Sequence, residues 1–249
     1  MSGHSKWAQI KRQKGANDAK KGQLFTKLGR EITIAARSGV PDPDANFRLR
    51  LAIGKAREAN MPAENIERAI KRAAGAGDGV SIEELSYEGY GPGGAALLVQ
   101  VATDNRNRAA SEVRNAFTRG GGNLGEAGCV AWLFEPRGII TVEPGKADPD
   151  EVALTAIDAG ADDVQTEDGS VEIYTDPHGL EPVRRKLEEE KLTITSAEST
   201  MQPKASLELG EEDSLKLLRL MDRLEELDDV QKVYTNVEFS NDVLEKYEG

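Results

Sequence analysis

The sequence predicts an α+β protein: an N-terminal helical domain followed by two small split βαβ domains of ferredoxin-like order, one inserted in the other. Three observations carry that expectation. Apolar residues recur at helical spacing through residues 1–75, and in mixed strand and helix patterns after them. The charge changes sign at the same place: residues 1–75 hold sixteen basic and seven acidic side chains, whereas residues 76–249 hold sixteen and thirty-seven. Finally, residues 136–204 contain a complete strand–helix–strand–strand–helix–strand order, with further strand and helix patterns on both sides.

In chain order, Leu24, Phe25, Leu28, Ile32, Ala35 and Ala36 share one side of a 3.6-residue helix, while Lys27, Arg30 and Arg37 point the other way. "GVPDPDAN" ends that helix, because its prolines and turn formers cannot continue it. A second helix is expected over residues 45–59. A third opens at "MPAENIERAIKRA", where Pro62 suits the first helical position and Ile66 and Ile70 make the buried stripe. The residues before Leu24 carry Gly3, Gly15 and Gly22, with Trp7 and Ile10 as large apolar side chains, a pattern that suits an arm ordered by a partner. "GAGDGVSIEE" reads as a linker. "AALLVQVATDN" is a strand, "RNRAASEVRNAFTR" a helix buried through Ala109, Val113 and Phe117, and "GCVAWLF" another strand.

The second set runs "GIITVEP", "DPDEVALTAIDAGA", "DDVQTED", "SVEIYTD", "GLEPVRRKLEEE" and "LTITSAES". "ASLELG", "EDSLKLLRLMDRLEEL" and "VQKVYTNVEF" then give strand, helix and strand. The expected domains are therefore 1–75, a split domain of 80–135 with 205–240, and an inserted acidic domain of 136–204. Insertion at a surface turn is inexpensive where the two chain ends of a compact domain lie close together. A single larger sheet built from both halves is the competing arrangement.

Composition narrows the function classes. The chain has 249 residues, 38% of them hydrophobic, and no apolar run of the length a membrane span needs. Cys129 is the single cysteine, which excludes an internal disulfide framework and fits a cytoplasmic protein. "GYGPGG" and "GGGNLG" match the spacing of a dinucleotide-binding turn, but neither follows a strand and opens a helix, so both read as turns or close-approach backbone. His4 and His178 lie far apart and there is no cysteine pair, so no metal site is expected. Cys129 is expected in a buried strand with no activating base. The many acid pairs read as solvated helix faces. No catalytic residue, cofactor or metal is assigned, and the chain is expected not to be an enzyme.

What remains is the basic set Lys6, Lys11, Arg12, Lys14, Lys20, Lys21, Lys27 and Arg30, eight cations in thirty residues with Asp18 as the one acid. Such groups hold phosphates without specifying bases. Trp7 either stacks on an unpaired base or anchors the arm to the helical domain. His4, Arg106 and Arg108 are secondary contacts. In "DNRNR", Asn105 or Asp104 caps the following helix and places Arg106 and Arg108 at its positive end. Two arginines there call for a phosphate or carboxylate partner, or for an acid within the chain.

"GHSKWAQIKRQKGANDAKKGQLFTKLGREI" with "PDPDANFRLRLAIGKAREANMP", "NIERAIKRAAG", "YEGYGPGGAALLVQ", "DNRNRAASEVRNAF" and "GGNLGEAGCVAWLF" closely resembles the YebC/PmpR family. The resemblance implies a three-domain, mostly α/β architecture with a helical first domain. It also implies a probable DNA-binding transcriptional regulator; other members are similar to translation factors acting with the ribosome. The expectation is thus a non-enzymatic nucleic-acid-binding regulator, with DNA or ribosomal RNA as partner and the acidic domains recruiting the ribosome or another protein. A protein scaffold is the third reading. The residues show no helix-turn-helix, since "GVPDPDAN" is long for that connection, and the strands lack the paired aromatics of the common single-strand RNA module.

Overall fold

The computed structural model describes residues 18–73, 82–145, 147–167 and 169–248. The chain divides into two compact units: residues 134–204 form one, and the stretches before and after them form the other.

In the larger unit, helices α1 (Asp18–Arg37), α2 (Phe47–Glu58) and α3 (Ala63–Ala73) come first. Leu28, Ile32, Ala35 and Ala36 of α1 pack on Leu49, Ala52, Ile53 and Ala56 of α2 and on Ile66 and Ala69 of α3, with Phe25 at the margin. Leu24 departs from the expected stripe: it is exposed. Buried Thr33 donates its hydroxyl to the carbonyl of Ala69 at 3.1 Å and ties α1 to α3.

Asn46 organises the proline-rich connection between α1 and α2. Its side-chain oxygen accepts from the backbone N–H of Leu49 at 3.1 Å and caps α2. Its amide nitrogen donates to the carbonyls of Ala35 at 2.7 Å and Val40 at 2.9 Å. One side chain thus closes one helix and opens the next. Asn46→Ala is expected to lower stability by about 2 kcal/mol. The check is a shift of the urea midpoint at unchanged slope, with Asn46→Asp, which keeps the cap and loses both donors, falling between.

The α/β part of this unit holds β1 (Glu83–Tyr90), β2 (Ala96–Thr103), α4 (Arg106–Arg119) and β3 (Asn123–Leu124). After the inserted unit come β8 (Leu207–Glu208), α7 (Glu211–Glu225), β9 (Val230–Thr235), β10 (Val237–Glu238) and α8 (Asn241–Glu248). The main sheet has the order β3-β1-β2-β9, antiparallel throughout, and β8 pairs with β10 in parallel. Leu97, Val99 and Val101 of β2 meet Val113 and Phe117 of α4 and Leu217, Leu220 and Met221 of α7 in one core.

The inserted unit runs β4 (Phe134–Glu143), α5 (Pro149–Asp158), β5 (Asp163–Glu167), β6 (Ser170–Thr175), α6 (Leu180–Glu189) and β7 (Thr193–Pro203). Its order β5-β6-β4-β7, again antiparallel, is the ferredoxin-like arrangement. Ile140, Val142, Val171 and Ile173 of the sheet are buried with Val152, Ala156, Val183 and Leu187 of the helices.

The larger sheet fills the same four positions by another route. β1, which the sequence reading left in the linker and the following glycine loop, precedes β2 and takes the inner place that β6 holds in the inserted unit. "PGG" is the connection of this β1–β2 hairpin, with Gly93 at φ 67°, where a side chain would also run into Leu209. Two other expectations are corrected. "ASLELG" contributes only the two-residue β8. "GCVAWLF" is not a strand: residues 131–133 form a 3₁₀ turn, β4 starts at Phe134, and Cys129 lies half-exposed in the loop before it. The carboxylate of Glu88 takes the amides of Gly128, Val130 and Ala131, so these are not free for a ladder.

Candidate nucleic-acid interface

The cations of α1 face two ways. Lys21 is exposed near its start. Lys27 and Arg30, nearly two and two and a half turns on, reach the end of α7. Lys27 donates to the carbonyl of Glu225, and Arg30 donates to that of Asp228. Gln23 adds bonds to the carbonyl of Glu226 and to the Asp228 carboxylate, the latter at 3.0 Å. The last carbonyls of a helix have no partner within it and carry its negative end, so a lysine and an amide there satisfy both needs.

Below them lies Asp229, whose side chain is only 3% exposed. Its carboxylate accepts from Arg30 of α1 at 2.9 Å and from the hydroxyl of Thr103 at 2.8 Å. Arg108 adds Nε at 3.2 Å and Nη2 at 2.8 Å. Asp104 accepts from the same Nη2 at 2.6 Å. The hydrogen bonds to Asp229 and then Asp104 push the guanidinium pKa up, and the bond from Arg108 holds the Asp104 carboxyl below the usual range. Asn105 is the cap of α4, accepting from the N–H of Arg108 at 3.1 Å. Arg108 therefore finds its anion within the chain. Arg106 points outward, more than two-thirds exposed and 3.8 Å from Glu83. Arg114, exposed two turns further along α4, joins it in drawing the Tyr87 phenol pKa down, although burial leaves that pKa raised.

The third construction is the loop between β3 and β4. Glu88, buried on β1, accepts from the N–H groups of Gly128 at 2.7 Å, Val130 at 2.8 Å and Ala131 at 2.7 Å. Burial pushes its pKa up, but these three bonds together outweigh burial and leave the carboxyl more acidic than usual. The neighbouring Gly89 has no room for a side chain: a Cβ would sit 2.5 Å from the carbonyl of Asn123 on β3. The carbonyl of Cys129 accepts from the Tyr90 hydroxyl and from the indole N–H of Trp132, each at 3.1 Å. Trp132 is nonetheless 65% exposed. Burial, and next the Glu88 charge, push the Cys129 thiol pKa up, which keeps it protonated and a poor nucleophile.

Of the sequence-derived set, His4, Lys6, Trp7, Lys11, Arg12 and Lys14 lie outside the described residues. So does the side chain of Lys20, whose backbone belongs to α1. Lys27, Arg30 and Arg108 come together around residues 225–229 as internal struts, whereas Arg106 stands apart on the surface. Sequence reading missed Arg114, Trp132 and the buried acids Glu88 and Asp229. A tryptophan seven residues after the glycine-rich "GGGNLG" was the available signal for Trp132. Among the described residues, no group of three or more His, Cys, Asp or Glu is arranged to hold a metal, and no helix is long and apolar enough to cross a membrane.

A helical module followed by two antiparallel sheet modules, with its buried charges bracing the fold, defines a multi-module α+β protein. The motifs noted above have their counterpart in two family models. Residues 5–76 match the TACO1/YebC protein N-terminal domain, and residues 82–237 match the TACO1/YebC second and third domain. The chain belongs to the TACO1/YebC family. It is 55% identical over 247 residues to a probable transcriptional regulatory protein of Dehalococcoides mccartyi strain BAV1, covering 99% of this chain and 98% of the relative. Against a probable transcriptional regulatory protein of Roseiflexus castenholzii it is 56% identical over 252 residues, with 99% of each covered. The crystal structure of a conserved hypothetical protein, Aq1575, from Aquifex aeolicus superposes with a TM-score of 0.81 at 48% identity, covering 90% of this chain and 93% of that one.

Proposed function

We propose that this chain is a non-enzymatic, cytoplasmic regulator that binds nucleic acid through its basic N-terminal segment, acting in transcription as the names of its relatives say of them. The observation that carries the reading is the separation of charge: +9 over residues 1–75 against −21 over the rest. A basic end holds a polyanion while an acidic body repels unspecific contact. Lys6, Lys11, Arg12, Lys14, Lys20 and Lys21 supply the phosphate contacts, with His4 and Trp7 among them. Lys27 and Arg30 set the direction of α1 through their bonds to residues 225–229, and Arg106 is a secondary contact. The acidic α/β modules recruit a protein partner.

The test is the salt dependence of binding to duplex DNA and to structured RNA. Reversing the charge of Lys11, Arg12 and Lys14 together is expected to weaken binding and to flatten the slope of log K against log salt by about 3. An unchanged affinity and slope would remove the segment from the interface. Crosslinking in cells separates the targets: promoter DNA marks a transcriptional regulator, and a compact patch of ribosomal RNA marks a translation factor.

A further inference from the structure

Trp132 is an exposed ring in a rigid mount. Its one polar atom is already satisfied by the Cys129 carbonyl at 3.1 Å, and that same carbonyl is taken by the Tyr90 hydroxyl. Both acceptor positions of the carbonyl are thereby occupied. The backbone on either side of Cys129 is fixed by Glu88 through Gly128, Val130 and Ala131. The indole cannot turn its N–H outward without breaking this arrangement. What it offers is a flat apolar face, 65% exposed, with Tyr90 beside it at 42%.

Leaving so large an apolar ring in water is unfavourable, and orienting it in advance removes the entropy a partner would otherwise have to supply. A face with no free donor recognises another flat ring rather than a hydrogen-bonding edge. A protein-binding hot spot is a cluster of anchors in a pocket; here one indole stands on a loop and one half-exposed phenol at the end of β1. Base stacking, by contrast, is strong one ring at a time and tolerant of sequence. Bases inside a duplex are already stacked on their neighbours.

We infer that Trp132 is a stacking platform for an unpaired nucleobase, so that the nucleic acid bound by this chain presents single-stranded bases. The inference rests on the nucleic-acid reading above and narrows it: the basic segment holds phosphates, and Trp132 takes a base.

The chain holds two tryptophans, so the full-length Trp7→Phe protein reports Trp132 alone. It is titrated with a single-stranded oligoadenylate of roughly a dozen residues, a length within the usual site size, and separately with inorganic polyphosphate, which has the charge without bases. Binding is followed in parallel by anisotropy. Oligoadenylate is expected to quench the emission along its binding curve, and polyphosphate to bind without quenching. Trp132→Ala, in the wild-type background, is expected to weaken oligoadenylate binding by about five- to hundred-fold and Trp132→Phe by less. Neither changes the polyphosphate affinity, and both lower the melting temperature equally and by only a few degrees, since each loses the same indole bond to the Cys129 carbonyl. Salt-dependent oligoadenylate binding with no quench and no loss in Trp132→Ala overturns the platform and leaves the nucleic-acid reading standing. Absence of salt-dependent binding to both probes overturns the reading and the platform with it.

Discussion

Asp229→Ala is expected to destabilise the larger unit by about 3 kcal/mol, the low end for breaking a buried ion pair. The carboxylate accepts from Arg30, Arg108 and Thr103, and all of these lose their bond to it at once. The loss stays at the low end because Arg108 is 41% exposed and keeps Asp104, so its guanidinium is partly rehydrated. In a thermal melt this corresponds to a fall of about 6–12 °C for a unit of this size. The location of the damage is the sharper check. Amide exchange should rise along α1, in β9 and at the start of α4, which the carboxylate joins, while the β4–β6–β7 ladder keeps its protection. Uniform exchange across α1 in mutant and wild type would show that Asp229 does not hold the helical module to the sheet.

Glu88→Ala is expected to cost about 3 kcal/mol, because three amides of one loop lose a charged acceptor, that of Val130 buried and those of Gly128 and Ala131 partly so. Glu88→Gln should cost less. Its remaining oxygen still serves Val130 and Ala131, but its amide group then faces the N–H of Gly128. The pH dependence follows from the lowered pKa of the native carboxyl. The unfolded chain takes up the proton first as pH falls, so the stabilisation is complete above the ordinary value of 4.5 and is lost as pH drops through the lower native value. Wild type should therefore weaken more steeply than Glu88→Ala as pH falls from 4.5 to that lower value. If the two acid limbs coincide, folding does not lower the pKa of Glu88.

The elements that were legible in the sequence are those whose burial writes a period. Leu28, Ile32, Ala35 and Ala36 mark α1, Val113 and Phe117 mark α4, and the strands and helices of residues 136–204 alternate plainly enough to give their order. β1 was illegible because "EELSYEGY" places a glutamate where a buried aliphatic is expected and a glycine where Phe117 leaves no room for more. The glutamate serves the loop before β4, and the glycine makes room for Phe117 and β3. The strand expected at "GCVAWLF" failed for the same reason, since its amides bond to a side chain about forty residues earlier. The charged pattern at "DNRNR" announced that Arg108 needs an anion, but an acid 121 positions away carries no local signal. Local residues showed the need, and only the fold identified the partner.

Phe134 and Pro203 face each other at the open end of the β4–β7 pair. The roughly seventy residues between them therefore leave the larger unit and return to it at neighbouring points. As an unfolded chain that stretch would be a long loop to close; once folded, it behaves as a short turn. The difference in closure entropy is about 2.5 kcal/mol. Folding of residues 134–204 thus acts as a clasp on the order of events: β8, α7 and β9 find β2 more readily after the inserted unit has formed. A nascent chain emerging N-terminus first completes that unit before β9 is available.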